Sequence, residues 1–221
     1  MWIKICGIRD LPTALAIAEL GVDAVGLNLF ANSARHVTPP VAREIVAALP
    51  AGVEPVGLFV NHTVEQIVNA CVHCELPTIQ IHGDESPEFL AELAERLPEV
   101  RLIRAYRVEV GRMDSLADAL ETTRQLDVSL HACLVDAFVD GTYGGTGHTV
   151  DWSELVQQYN AAEWPPLILA GGLNADNVAA AVRTVQPWGV DTASGVESAP
   201  GVKDSELARR FIENARRAAS V

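Results

Sequence analysis

A short apolar run followed by a helical pattern recurs eight times along this chain, and that repetition limits the fold more than any other feature. Spread over 221 residues, eight units allow about 28 residues each. The apolar runs are Trp2–Cys6, Asp23–Leu29, Pro55–Val60, Thr78–His82, Val100–Val108, Ala132–Asp136, Leu167–Ala170 and Gly189–Ala193. Their length and flanking turns predict buried strands of a parallel sheet. Helix signals fall between them. Asp10 caps Leu11–Leu20, and Gly21 stops it; Thr38-Pro39 opens a helix to Leu49; Thr63 and Gln66 form a capping box for a helix to Val72. Ser86-Pro87 opens a helix to Leu97, and Arg112–Leu126 and Trp152–Tyr159 follow. Asn174 is expected to cap a helix to Val185, and Asp204 one to about Ala218. Strands alternating with helices imply right-handed parallel βαβ units, and eight of them close on themselves. The expectation is an α/β chain forming a single-domain (β/α)8 TIM barrel with eight parallel strands over residues 1–221. An open doubly wound sheet is the alternative; eight full units in so short a chain favour closure.

Composition narrows the function. Hydrophobic residues make up 49% of the chain and charged ones 20%, enough for a full core. No apolar run approaches the roughly 20 residues needed to span a bilayer. The opening residues are too short and too strand-like for a signal peptide, so a cytoplasmic protein is expected. The net charge is −13 and no basic run is present, which argues against nucleic acid and anionic membranes as partners. An anionic ligand would need its own local positive field on such a surface. Four cysteines occur, and Cys71-Val72-His73-Cys74 has the look of a metal or redox element. No second pair follows at ligand spacing, so incidental thiols and no metal are expected.

Side-chain alternation places chemistry at one end of the barrel. Residues two apart on a strand share a face. Ile3 and Ile5 suit the helix-covered outside, which turns Lys4 and Cys6 inward. The same argument turns Gln80 and His82, Leu134 and Asp136, and Asp191 inward, with Val190 and Thr192 pointing out. Cys6, His82, Asp136 and Asp191 all fall near the C-terminal ends of their strands, where barrel enzymes hold their active sites. The last two strands end in Gly171-Gly172 and Ser194-Gly195. Glycines there let backbone N–H groups approach an anion, and barrels often bind phosphate after strands seven and eight. Asp136 can serve as a general acid if burial raises its pKa, and Cys6 as a general base if Lys4 lowers that of its thiol. Arg35, in the long loop after strand two, can clamp a carboxylate. An acid, a base and a phosphate anchor suit proton shuttling on a sugar phosphate.

The motifs Lys4-Ile5-Cys6-Gly7-Ile8, Ser33-Ala34-Arg35, Val56-Gly57-Leu58-Phe59-Val60-Asn61 and Gln80-Ile81-His82-Gly83 resemble the phosphoribosylanthranilate isomerase family. So do Leu134-Val135-Asp136-Ala137, Tyr143-Gly144-Gly145-Thr146-Gly147, Leu169-Ala170-Gly171-Gly172-Leu173-Asn174 and Asp191-Thr192-Ala193-Ser194-Gly195-Val196-Glu197, in order and at compatible spacing. The resemblance implies a (β/α)8 isomerase of tryptophan biosynthesis that performs an Amadori rearrangement of phosphoribosylanthranilate. It implies Asp136 as acid, Cys6 as base, and Arg35 at the anthranilate end of the substrate. Gly171, Gly172, Ser194 and Gly195 match the phosphate turns, and His82 and Asp191 match residues lining the site. The implied partner is a small phosphorylated substrate, with no cofactor or metal, in a monomer or homodimer.

Two other readings compete. The related isomerase of histidine biosynthesis carries aspartates as acid and base and a second phosphate site, whereas this chain offers Cys6 on its first strand and no glycine turn after its third. A non-catalytic barrel that binds a phosphorylated metabolite could keep the glycine turns, but it would have no use for Cys6 and Asp136 together.

Overall fold

The computed structural model describes residues 1–108, 113–137 and 152–220. Eight strands form a closed parallel barrel in chain order: β1 (Trp2–Cys6), β2 (Ala24–Asn28), β3 (Glu54–Phe59), β4 (Thr78–Ile81), β5 (Arg101–Val108), β6 (Ala132–Ala137), β7 (Leu167–Leu169) and β8 (Gly189–Thr192). β8 pairs with β1 and closes the cylinder, with Lys4 beside Asp191 in the register. Helices α1 (Leu11–Ala18), α2 (Pro39–Ala48), α3 (Val64–Cys74), α4 (Pro87–Arg96), α5 (Met113–Gln125), α6 (Trp152–Gln158), α7 (Val178–Val185) and α8 (Ser205–Ala219) follow the strands.

Local chemistry explains most of the boundaries. Asp10 Oδ1 accepts from Thr13 N at 2.8 Å to start α1. Thr63 and Gln66 exchange hydrogen bonds at 3.2 and 2.9 Å, the capping box read from the sequence. Asp204 takes the N–H groups of Glu206 and Leu207 and opens α8. Asn174 departs from expectation. Its Oδ1 accepts from Asp176 N and Asn177 N at 2.9 and 3.2 Å, which builds a turn, and α7 starts only at Val178. An asparagine side chain that bonds the backbone two residues on favours such a turn over helix. Beyond β8 come a 3₁₀ turn, Ser194–Val196, and an antiparallel hairpin of β9 (Glu197–Ala199) and β10 (Val202–Lys203) that the apolar pattern did not announce.

The core has two shells. Ile3, Ile5, Ile79, Ile81, Cys133 and Val135 face the helices, in the large outer cluster. Inside the barrel, Ala24, Val56, Ile103, Ala105, Leu134 and Ile168 pack together, with Trp2 beneath them. Alternating small and branched side chains are what the narrow interior of an eight-stranded barrel accepts. Above that plug the inward residues turn polar, and there the chemistry begins.

Candidate active site

The polar layer starts with Lys4, which has no solvent exposure. An ammonium is buried at tolerable cost only when paired, and its Nζ lies 2.8 Å from Asp191 Oδ1. Burial works against the lysine's charge, but the fields of Asp191 and Cys6 outweigh it and hold its pKa above the ordinary value. Cys6 is the next inward residue of β1 and sits in a small rim cluster with Leu58 and Val60, against which Phe30 and Ala193 pack. Gly26 is its neighbour in the register, and a Cβ there would lie 2.6 Å from Cys6 Sγ. Only glycine leaves room for the thiol.

The Cys6 thiol differs from the sequence expectation. Burial pushes its pKa up, and Lys4 and Lys203 only partly offset that, with Asp191 adding to the rise. Lys4 gives the largest offset, through its charge and a hydrogen bond to the sulfur, and burial still outweighs it. Cys133, on the outer shell of β6, is pushed up to about 12 by burial, and Cys71, on α3, likewise to about 12. The neighbouring Cys74 Sγ donates to Pro39 O at 3.4 Å.

Across the mouth stand Asp136, Gln80 and His82, all buried. Gln80 Nε2 lies 2.9 Å from His82 Nδ1. With the amide so oriented, Nδ1 accepts and the ring proton sits on Nε2. That Nε2 is 3.4 Å from Asp136 Oδ2. Both His82 Nε2 and Gln80 Oε1 are buried without a hydrogen-bond partner among the described residues. Buried polar atoms left so are rare.

The third side is made by the two glycine turns. Gly171 and Gly172 have φ of +82° and +61°, a region side chains avoid. Thr192, which also lines the cavity, gives its hydroxyl to Leu173 O at 2.7 Å, and Asn177 Nδ2 donates to Gly172 O at 2.9 Å. A Cβ on Gly195 would lie 1.9 Å from Leu173 O, so the turns after β7 and β8 are packed directly on one another.

These sides enclose one cavity of ≈ 600 Å³, counting its opening to solvent. Cys6, Arg35, His82, Asp136, Gly171, Gly172, Asp191 and Ser194 all line it. Of the residues read from the sequence, Gly195 does not reach the wall and serves instead as the spacer behind it. Arg35 lines the cavity but is already engaged: its Nε and Nη2 donate to Glu197 Oε1 and Oε2, each at 2.8 Å. The fork expected to meet a ligand carboxylate holds one from this chain, and only Nη1 lies outside it. Asn28, on the inward face of β2 with Ala24 and Gly26, also lines the mouth. The alternation argument, applied to that strand, would have found it. Glu197 closes a motif read from the sequence but was given no role there, and nothing in the local pattern pointed to Lys203. The glycine-rich stretch expected to close over the mouth falls within 138–151, outside the described residues.

Comparisons with known proteins give the chain's family. The family model described as N-(5'phosphoribosyl)anthranilate (PRA) isomerase matches residues 3–214. The N-(5'-phosphoribosyl)anthranilate isomerase of Geobacter sulfurreducens is 44% identical over 214 residues, covering 97% of this chain and 98% of its own. That of Magnetococcus marinus is 46% identical over 217 residues, covering 98% and 95%. Among solved structures, the phosphoribosyl anthranilate isomerase of Thermotoga maritima superposes with a TM-score of 0.85 at 37% identity, covering 98% of this chain and 99% of that one. A phosphoribosyl anthranilate isomerase in complex with reduced 1-(o-carboxyphenylamino)-1-deoxyribulose 5-phosphate does so at 0.82 and 35%, with the same coverage. With the family model and these relatives matched over nearly its whole length, the chain belongs to the N-(5'-phosphoribosyl)anthranilate isomerase family.

Proposed function

We propose that this chain isomerises N-(5'-phosphoribosyl)anthranilate to 1-(2-carboxyphenylamino)-1-deoxyribulose 5-phosphate, with Asp136 as general acid and Cys6 as general base. One observation carries the assignment of roles: a carboxyl and a thiol line the same cavity, beside two stacked glycine turns. The substrate phosphate sits against Gly171-Gly172 and Ser194-Gly195, which sets the ribose between the two groups. Asp136 gives its proton to the ribose ring oxygen, and the ring opens to a Schiff base. Cys6, as thiolate, takes the proton from the sugar's second carbon, and the resulting enolamine tautomerises to the ketone. The cycle leaves Asp136 as carboxylate and Cys6 as thiol, and exchange of one proton between them or with water restores both for the next turnover.

Around them, His82 faces Asp136 with its Nε2 and keeps the carboxyl turned to the mouth. Asp191 holds Lys4 in place beneath Cys6. Arg35 meets the anthranilate carboxylate through Nη1, with Nε and Nη2 braced by Glu197. Proton transfer alone accounts for the rearrangement, so the reading uses no cofactor. We place the enzyme in the cytoplasm as a monomer or homodimer of one (β/α)8 domain. Among the described residues no helix is long and apolar enough to cross a membrane.

The test is turnover of purified protein on N-(5'-phosphoribosyl)anthranilate, together with growth of a tryptophan auxotroph that lacks this step. Wild-type protein should restore growth, and Asp136→Asn or Cys6→Ala should not. A folded wild-type chain that neither turns over the substrate nor restores growth overturns the proposal.

A further inference from the structure

The chain contains two lysines, Lys4 and Lys203; its other basic side chains, apart from histidine, are arginine. Both lysines are buried, with side-chain exposures of 0% and 1%, and the same thiol feels the charge of both. Lys203 lies outside the barrel proper, on β10 of the hairpin that follows β8. Its Nζ donates to Ala193 O at 2.8 Å and to Glu197 Oε1 at 2.7 Å. Ala193 in turn packs on the rim cluster that contains Cys6. The hairpin is braced against the barrel: at Gly201 (φ +79°) a Cβ would lie 2.8 Å from both Ala34 O and Arg9 Nη1. Arg35 crosses Gly7, the residue after Cys6, where a Cβ would lie 2.5 Å from Arg35 Cδ. Cation, thiol and hairpin are thus held as one unit.

The charges around the sulfur do not cancel. Lys4 and Asp191 form a neutral pair below it. Arg35, Glu197 and Lys203 form a set of two cations and one anion above it. Lys4, Lys203 and Arg35 act on Cys6 as cations and Asp191 as an anion; with Glu197, the anion that ties Arg35 to Lys203, their formal charges leave one positive charge in excess. A thiolate forming in a dry site needs such an excess, because water is not there to solvate it.

We infer that Lys203, held by Glu197 on the hairpin after β8, is a positioning residue that adds a second positive charge to that of Lys4, under which Cys6 gives up its proton. The inference rests on the proposed role of Cys6 as base, yet it can be read without turnover. It is also consistent with the direction of the Glu197 carboxyl: burial pushes it up, and the hydrogen bonds from Arg35 and Lys203 outweigh that and keep it low, hence charged.

The experiment is the pH dependence of Cys6 alkylation by iodoacetamide, followed by peptide mapping with no substrate present. In Lys203→Gln the midpoint should rise by about one pH unit, which makes alkylation about tenfold slower at neutral pH. Lys203→Arg should keep the wild-type midpoint, because it keeps the charge. With isomerase assays run beside it, Lys203→Gln should lower kcat, with a smaller effect on KM. A wild-type midpoint in folded Lys203→Gln overturns the inference, even if Cys6→Ala is inactive. An unshifted midpoint with an active Cys6→Ala would instead overturn the role of Cys6. Should Lys203→Gln not fold, the wild-type chain decides, since lysine labelled with ¹³C at the ε carbon gives two resonances. Lys203→Arg identifies that of Lys203. Its pH profile should carry an inflection at the alkylation midpoint that disappears in Cys6→Ser, and a profile unchanged in Cys6→Ser overturns the inference.

Discussion

The two walls of the mouth are built in opposite ways. On the side of β1, β8 and the hairpin, Cys6 lies among two groups of charged side chains, Lys4–Asp191 and Arg35–Glu197–Lys203, each held at 2.7–2.8 Å. On the side of β4 and β6, Asp136 lies 3.4 Å from His82, which Gln80 holds from behind, and His82 Nε2 and Gln80 Oε1 have no hydrogen-bond partner among the described residues. The difference matches the task proposed for each. A base in a dry cavity must be ionised, which takes neighbouring cations. An acid must keep its proton, and a cation beside it would strip that proton away. Among the described residues that line the cavity, one wall sets a thiol among paired charges, and the other sets Asp136 beside Gln80 and His82.

The acid wall gives the largest expected effect. Asp136→Asn keeps shape and hydrogen bonding but carries no transferable proton, so kcat should fall at least about 10²-fold, the low end for general acid catalysis. The barrel should remain folded and bind product nearly as before. Retained turnover would move the acid to Asp191, and the contrast between the walls would collapse. Cys6→Ala should cost most of kcat with little change in thermal stability.

Ser194→Asp touches neither wall and isolates the third side. A carboxylate placed where the phosphate binds should raise KM by about 2 kcal/mol or more, roughly 30-fold, through like-charge repulsion in a partly dehydrated site. An unchanged KM removes the glycine turns from the binding account.

The base wall makes a prediction about pH. Burial holds the Cys6 thiol above the ordinary value of 9.0, so the free enzyme has little thiolate at neutral pH. A base works only when deprotonated, so kcat/KM should still be climbing with pH at 9.0. Limiting iodoacetamide should label Cys6 first because it lines the open cavity, while Cys133 and Cys71 are pushed up to about 12 behind packed side chains. Activity lost in step with label on Cys71, Cys74 or Cys133, with Cys6 still free, would show that Cys6 is not the base.

The smallest effect concerns stability. The Glu197 carboxyl is held below 4.5 in the fold against the pull of burial, by Arg35 and Lys203. A carboxyl depressed in this way stabilises the fold at neutral pH, and that stability is lost as the pH falls from the unfolded value of about 4.3 through the folded one. The urea midpoints of wild type and Glu197→Gln should therefore differ at pH 7 and converge as the pH falls toward 3. A gap that stays constant would mean that Glu197 matters for packing and not for charge.

Much of this was legible in the residues. Eightfold repetition determined the barrel, because only closure buries eight parallel strands in a chain this short. Strand alternation turned Lys4, Cys6, His82, Asp136 and Asp191 inward, because the period of two is a property of the strand itself. Asn174 misled, because a side chain that can bond its own backbone either caps a helix or makes a turn, and the neighbours decide which. The state of Cys6 was out of reach for a different reason. Its proximity to Lys4 is local, but its pKa depends on burial and on charges from distant parts of the chain: Asp191 opposes Lys4, and Glu197 gathers Arg35 and Lys203. Periodicity belongs to a segment and can be read from it; an electric field is a sum over everything brought near, and only the closed barrel with its hairpin brings those charges together.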